Sequence, residues 1–186
     1  SVPVHQIPPA ISTEFFARGE HVRPKKEGRE GFRILTVGRL HWKKGHEELL
    51  MALKLFDSSV DPAPWRLHIV GTGDSRERIA FAASELGILD RVVLRGRLSP
   101  DDVREEYAMA DVYVQYSIQE GFCNAVLEAQ AMELPCIVSD AEGLPENVGD
   151  GECGAVVPKC RPDLLSNALL KVYRMSDVES SEAGRR

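Results

Sequence analysis

Asp111-Val112-Tyr113-Val114-Gln115-Tyr116, followed by Glu120-Gly121-Phe122-Cys123-Asn124-Ala125-Val126-Leu127-Glu128-Ala129, is the stretch on which the fold turns. The first segment is a β-rich run. In the second, two glutamates flank seven residues of which only Asn124 is strongly polar, and the chain continues into the helix-like Gln130-Ala131-Met132. Strand, short loop and helix form the unit from which an open α/β sheet makes a ligand crevice at the carboxyl ends of its strands. A helix opening near Cys123 or Asn124 presents free N–H groups to that crevice and favours an anion there. Glu128 then falls one turn inside the helix and Glu120 on the loop before it, a pair suited to gripping a polyhydroxy ligand. The same residues fit a plainer reading, a dipole partner ahead of a helix and a solvated residue within it.

Working outward, the same unit recurs along the chain. Phe32-Arg33-Ile34-Leu35-Thr36-Val37-Gly38 is an apolar run ending at glycine, followed by helix-spaced Leu49, Leu50, Leu53 and Phe56. Trp65 to Gly71 is a second strand, leading through Thr72-Gly73-Asp74 into a helix carrying Ile79, Ala82, Ala83 and Leu86. Arg91 to Gly96 is a third, and Ser99-Pro100-Asp101-Asp102 then opens a helix with a good cap and proline at its first position. The fourth strand lies near 112–115, Leu134 to Ser139 is a fifth, Gly154 to Pro158 a sixth, and a helix runs from Pro162 to about Met175. This alternation predicts an α/β fold, a parallel sheet with helices on both faces. Before it, the proline-bearing Val2 to Pro9 is unsuited to a central strand, Ile11 to Phe16 is expected to turn, and Arg18 to Gly31 reads as polar loop.

The 186 residues suit one well-buried domain. A net charge of −6 excludes the basic footprint of a nucleic-acid binder. Cys123, Cys136, Cys153 and Cys160 show neither CxxC spacing nor the density of a disulfide scaffold, which fits a reduced, cytoplasmic setting. The sequence contains neither a signal-peptide pattern nor an apolar run long enough to span a membrane.

Arg39 and Lys44 come directly after the first strand, one on the loop and one where the helix begins. In a parallel sheet they share an edge with Glu120 and Asn124, and a guanidinium, an ammonium and two helix N-termini converging there make a diphosphate site. Gly38 and Gly45 let the backbone approach phosphate oxygens. The alternative is that both cations are surface charges. Gly71-Thr72-Gly73 lacks the third glycine of a dinucleotide motif and reads as a structural turn. His41, His46 and His68 have no metal spacing, and Trp42 is expected to pack on the first helix, the alternative being that it covers a ligand. Cys123 has no base evident in the sequence, although a helix N-terminus is expected to lower its thiol pKa.

Gly38-Arg39-Leu40 with Lys44-Gly45, Val70-Gly71-Thr72-Gly73, Leu94-Arg95-Gly96, Glu120-x7-Glu128-Ala129, Leu134-Pro135 and Gly143-Leu144-Pro145-Glu146 occur in that order. From roughly residue 7 to 173 the chain resembles the C-terminal, donor-binding domain of a retaining glycosyltransferase of family 4 (group 1), one Rossmann-like half of the two-domain GT-B fold. The resemblance implies an interdomain linker and lead-in over 1–32, a nucleotide-sugar domain over 33–175 and a frayed tail over 176–186. It implies that Arg39 and Lys44 bind the donor diphosphate and stabilise the leaving nucleotide. Glu120, grouped with them as catalytic, would meet donor-sugar hydroxyls, and Glu128 would hold the ribose. Gly38 and Gly121, Phe122, Cys123, Asn124, Ala125 and Val126 would offer backbone to phosphate and sugar. The loop at Arg97 and Leu98 would read the base.

The family generally needs no metal, and the nucleotide-diphosphate sugar is a substrate, so no cofactor is expected. The acceptor, a sugar or a lipid-linked sugar, would sit on an N-terminal domain outside this chain. The expectation is an excised half that transfers nothing alone, from a cytoplasmic enzyme with possible peripheral association at the membrane's inner face. The chain departs from the family pattern at Cys123, Glu133 and Glu142, each at a position where glycine is common (or, for Cys123, proline). Glu133 is expected to adopt left-handed geometry at a cost of about 1 kcal/mol. A nucleotide-sugar epimerase and a non-catalytic nucleotide-binding module use the same fold. A glycosidase would use the two carboxylates, but has no need of a diphosphate clamp.

Overall fold

A computed structural model of the chain describes residues 10–17, 31–60, 64–149 and 154–183, with side chains as far as 176. Six strands, β1 (Phe32–Val37), β2 (Trp65–Val70), β3 (Val92–Gly96), β4 (Val112–Gln115), β5 (Cys136–Ser139) and β6 (Gly154–Val157), form one parallel sheet. Their order is β3-β2-β1-β4-β5-β6. The helices are α1 (His46–Val60), α2 (Arg76–Glu85), α3 (Pro100–Met109), α4 (Asn124–Ala131), α5 (Leu144–Val148) and α6 (Pro162–Ala183). The fold is the Rossmann-like α/β architecture that the alternating sequence predicts.

Two apolar layers hold it together, one on each side of the sheet. On one side, Ile34, Leu67, Ile69 and Val114 pack against Leu50, Leu53 and Phe56 of α1, Ile79 of α2, and Leu165 and Leu169 of α6. On the other, Leu35, Tyr113 and Val138 meet Tyr107 of α3, Val126 and Ala129 of α4, and Leu144 and Val148 of α5. Alternate side chains of each strand thus reach opposite faces. From the centre the chain winds outward both ways, so the loops after β1 and β4 diverge to opposite faces. That divergence leaves a crevice at the carboxyl edge of the sheet.

The local signals mostly operate as expected. Ser99 caps α3, its hydroxyl accepting from the Asp102 N–H at 3.2 Å, with Pro100 in the first turn. α4 starts at Asn124 and ends in a left-handed Glu133 (φ 57°), with Leu134 N–H donating to Ala129 O and Glu133 N–H to Gln130 O. These are the two bonds of a Schellman closure. The turn at Ser12–Phe16 forms, and Phe16 sets its ring edge-on to Tyr107 of α3. Apart from residues 10–17, 31 and 32, the expected linker lies outside the described residues, as does Cys153.

Two expectations need correction. α6 continues to Ala183, past Met175, where the sequence reading ended it and placed a frayed tail. Its last turns are polar, but the first helix-breaking residue is Gly184, and extending a helix costs far less than starting one. Trp42 is not buried against α1 but is 50% exposed, in contact with its neighbours His41 and Lys43 and bordering a small pocket with His46, Glu47 and Glu48 of α1. It belongs to a tight 3-10 turn (Trp42–Lys44) that precedes α1.

Candidate active site

The loops after β1, β2 and β3 border an open cleft of about 570 Å³ whose walls include Gly38, Arg39, Arg97, Leu98 and Val103. The Gly71–Gly73 turn forms its other side and braces the β1 loop. A Cβ on Gly71 would stand 1.9 Å from Gly38 O, and one on Gly73 would stand 2.1 Å from Leu40 O. Leu40 N–H donates to Thr72 O at 3.0 Å. The turn is structural, as its incomplete motif suggests, and it also lines the cleft.

Lys44 lies across Gly38 from this space, its side chain 3.6 Å from where a Gly38 Cβ would be. Its ammonium bonds the Glu120 carboxylate, joining the loop after β1 to the loop after β4. The junction is built from the backbone. Gly45 is left-handed (φ 61°), and a Cβ there would fall 2.0 Å from Tyr116 O. Ile118 and Gln119 both donate their N–H to Lys43 O, at 2.8 and 3.3 Å. From β5, Glu142 accepts the Glu120 N–H at 2.9 Å, and Gly143 donates to Glu120 O at 3.2 Å. The hydrogen bond from the Glu120 N–H, with Lys159 assisting, holds the Glu142 carboxyl below the usual range against the opposing effect of desolvation. Glu142 has positive φ (26°), so the glutamate in place of a common glycine serves as a brace for the loop.

At the start of α4, Gly121 and Asn124 are exposed, Phe122 and Ala125 are half-buried, and Cys123 and Val126 are buried. Cys123 N–H donates to Asn147 Oδ1 and Cys123 O accepts from Asn147 Nδ2, both at 3.2 Å. That amide is therefore committed within the fold, and Val126 N–H is likewise bonded to Cys123 O. The Cys123 thiol is pushed up, against expectation. Burial outweighs the opposing Lys44 charge and the local backbone N–H groups, and the Glu120 charge adds to the rise.

Glu128 is half-buried one turn inside α4, and its Oε2 accepts from the Tyr107 hydroxyl at 2.8 Å. Burial raises its pKa, opposed by the Tyr107 hydrogen bond. On the same face, Glu106 bonds His68 at 2.8 Å and Arg95 at 2.7 Å. Desolvation works to raise its pKa, but His68, Arg95 and Arg33 together lower it. This buried ionic group ties α3 to the sheet.

The structure thus brings Lys44, Glu120 and Gly38 together directly, and Arg39, Arg97 and Leu98 around the adjoining cleft. It withdraws the Cys123 and Val126 side chains into the core. The sequence reading missed Tyr107, Ser117, Glu142 and Asn147. Of these only Ser117, two residues beyond Gln115 on one strand face, left a signal in spacing. Chemically, two guanidiniums and an ammonium at a carboxyl edge suit a polyanion, and carboxylates beside them suit hydroxyls. Among the described residues, no group of three or more His, Cys, Asp or Glu could hold a metal ion, and no helix is long and apolar enough to cross a membrane.

The family described as Glycosyl transferases group 1 matches residues 18–184. The chain is 29% identical over 180 residues to a GDP-mannose-dependent alpha-(1-6)-phosphatidylinositol monomannoside mannosyltransferase of Mycolicibacterium smegmatis, covering 91% of this chain and 47% of that enzyme. It is 31% identical over 176 residues to a D-inositol 3-phosphate glycosyltransferase of Acidothermus cellulolyticus, covering 89% of this chain and 39% of that enzyme. The structure of a sucrose-phosphate synthase from Thermosynechococcus elongatus superposes with a TM-score of 0.78 at 28% identity, over 89% of this chain and 42% of that one. The chain spans less than half the length of these relatives.

Proposed function

The chain belongs to the glycosyl transferases of group 1, and from that premise we propose that it is the C-terminal, donor-binding half of a retaining GT-B enzyme of glycosyltransferase family 4. Within a longer protein it grips a nucleotide-diphosphate sugar and presents the hexosyl group to a sugar or lipid-linked acceptor held by an N-terminal domain. The observation that carries this reading is the Lys44–Glu120 contact. It sets an ammonium against a carboxylate at the seam between β1 and β4, which supports a reading of Lys44 as the diphosphate's cation and Glu120 as the sugar's carboxylate. One relative is named for GDP-mannose, which supports the donor class.

Arg39 and Lys44 supply fixed positive charge where the departing diphosphate gains negative charge, so they favour the transition state over the ground state. Glu120 orients the sugar through its hydroxyls, Glu128 holds the ribose, and Arg97 and Leu98 border the base. Because side chains meet the diphosphate charge, the reading includes no metal, and activity is expected to survive EDTA. The reaction is placed in the cytoplasm, at the membrane's inner face when the acceptor is lipid-linked, and the isolated half is expected to transfer nothing.

The test is transfer by the full-length protein from UDP-, GDP- and ADP-sugars, with the product anomer read by NMR. The expected outcome is one preferred donor, retained configuration and a loss in kcat of about 10²-fold or more for Lys44→Ala. Inverted configuration would refute the retaining mechanism. Full activity in Lys44→Ala would refute the assigned clamp.

A further inference from the structure

Tyr113, Gln115 and Ser117 occupy alternate positions along and just beyond β4, so they share one face of the sheet and lead to its carboxyl edge beside Glu120. All three are buried. Gln115 is a neutral amide in a central strand, where an unmet polar atom would be destabilising. Both its polar atoms are met. The Tyr113 hydroxyl donates to Gln115 Oε1 at 2.8 Å, and Gln115 Nε2 donates to Ser117 Oγ at 2.8 Å. Ser117 Oγ in turn donates to Glu120 Oε2 at 3.3 Å. The Ser117 carbonyl accepts from Ser139 Oγ at 2.6 Å, which fixes the end of β4 to β5.

The direction of these bonds matters. A hydroxyl has one proton, so a neighbour that donates to Ser117 leaves that proton free for Glu120. Gln115 does so only with its amide nitrogen toward Ser117, and the Tyr113 proton holds it that way by claiming Oε1. A second acceptor for Tyr113, Val37 O, lies farther off at 3.3 Å. With the amide reversed, Gln115 would present its oxygen to Ser117 and compete with Glu120 for that single proton. Stability alone does not call for this arrangement, since an apolar side chain at 115 would fill a buried central strand without polar atoms to satisfy.

We propose that Tyr113, Gln115 and Ser117 form a one-way hydrogen-bond relay that sets the orientation of the Glu120 carboxylate toward the donor sugar. Gln115 and Ser117 are positioning residues, acting through Glu120. The proposal rests on the donor-site reading above. It predicts that the relay affects recognition of the sugar and leaves recognition of the nucleotide unchanged, because the diphosphate and ribose are held by Arg39, Lys44 and Glu128.

The experiment titrates the chain with UDP and UDP-glucose, GDP and GDP-mannose, and ADP and ADP-glucose, in wild type, Ser117→Ala, Gln115→Leu and Ser117→Thr. The quantity read is the affinity for the nucleotide-sugar relative to the bare nucleotide within each variant. A general packing defect lowers both affinities and leaves their ratio unchanged. The expected result is a ratio lowered about 5- to 10-fold in Ser117→Ala and Gln115→Leu, with the bare nucleotide held within about twofold, and a near wild-type ratio in Ser117→Thr. An unchanged ratio in both Ser117→Ala and Gln115→Leu, beside a wild type that binds, would overturn the relay alone. A wild type that binds none of the six would overturn the donor-site reading and the relay with it.

Discussion

Lys44 is paired with Glu120, so a diphosphate that draws on the ammonium must compete with the carboxylate. Glu120→Gln removes that competitor while keeping the side chain's shape. Bare nucleotide diphosphate should then bind as well as before or up to about tenfold tighter, and the added affinity from the sugar should fall, both read by calorimetry. Weakened binding of the bare nucleotide would argue against Lys44 as its clamp. His46 gives a second residue-level prediction. It is buried, its Nδ1 has no hydrogen-bond partner among the described residues, and burial followed by the Lys44 charge lowers its pKa to about 4. The unfolded chain therefore takes up the proton first as pH falls. The stability associated with a neutral His46 is complete above about 6.5 and is lost between 6.5 and 4, by about 3 kcal/mol. Urea melts at pH 7.5 and 4.5 should show this difference, and His46→Leu should reduce it. Residue chemistry was only partly legible in the sequence. Arg39, Lys44, Glu120 and Glu128 follow strand ends or lie near a helix start, where local pattern reveals them. Tyr107 meets Glu128 only through the packing of α3 on α4, and no spacing along the chain signals that contact.

The elements were more legible than the residues. Short apolar runs ending at glycine located the strands, and the capped Ser99-Pro100 start located α3, because these signals are local. The extent of α6 was not, since its polar final turns look like tail while their helix propensity continues. Trp42 is exposed on a 3-10 turn that composition does not encode. Glu133 shows a position where the resemblance guided the reading, with left-handed geometry expected because glycine is common there, and found. Since that conformation strains any side chain, Glu133→Gly should stabilise the domain by about 1 kcal/mol, seen as a higher denaturation midpoint with an unchanged slope. A destabilised variant would mean that the Glu133 side chain contributes more than its backbone costs.

At the scale of the whole molecule, the strand order β3-β2-β1-β4-β5-β6 assembles the site. Loops distant in sequence meet at the divergence between β1 and β4, and each contributes one kind of chemistry: cations after β1, carboxylates after β4, and braces after β5. The chain spans less than half the length of its relatives, and gripping the donor is the part of the proposed reaction assigned to it. The most direct measurement is calorimetric titration of the chain with UDP, GDP and ADP beside Lys44→Ala. The prediction is binding of one nucleotide at a single site, weakened at least tenfold by the substitution while the fold is retained by circular dichroism. Binding that Lys44→Ala leaves unchanged would contradict the diphosphate clamp, and with it the reading of this crevice as the donor site.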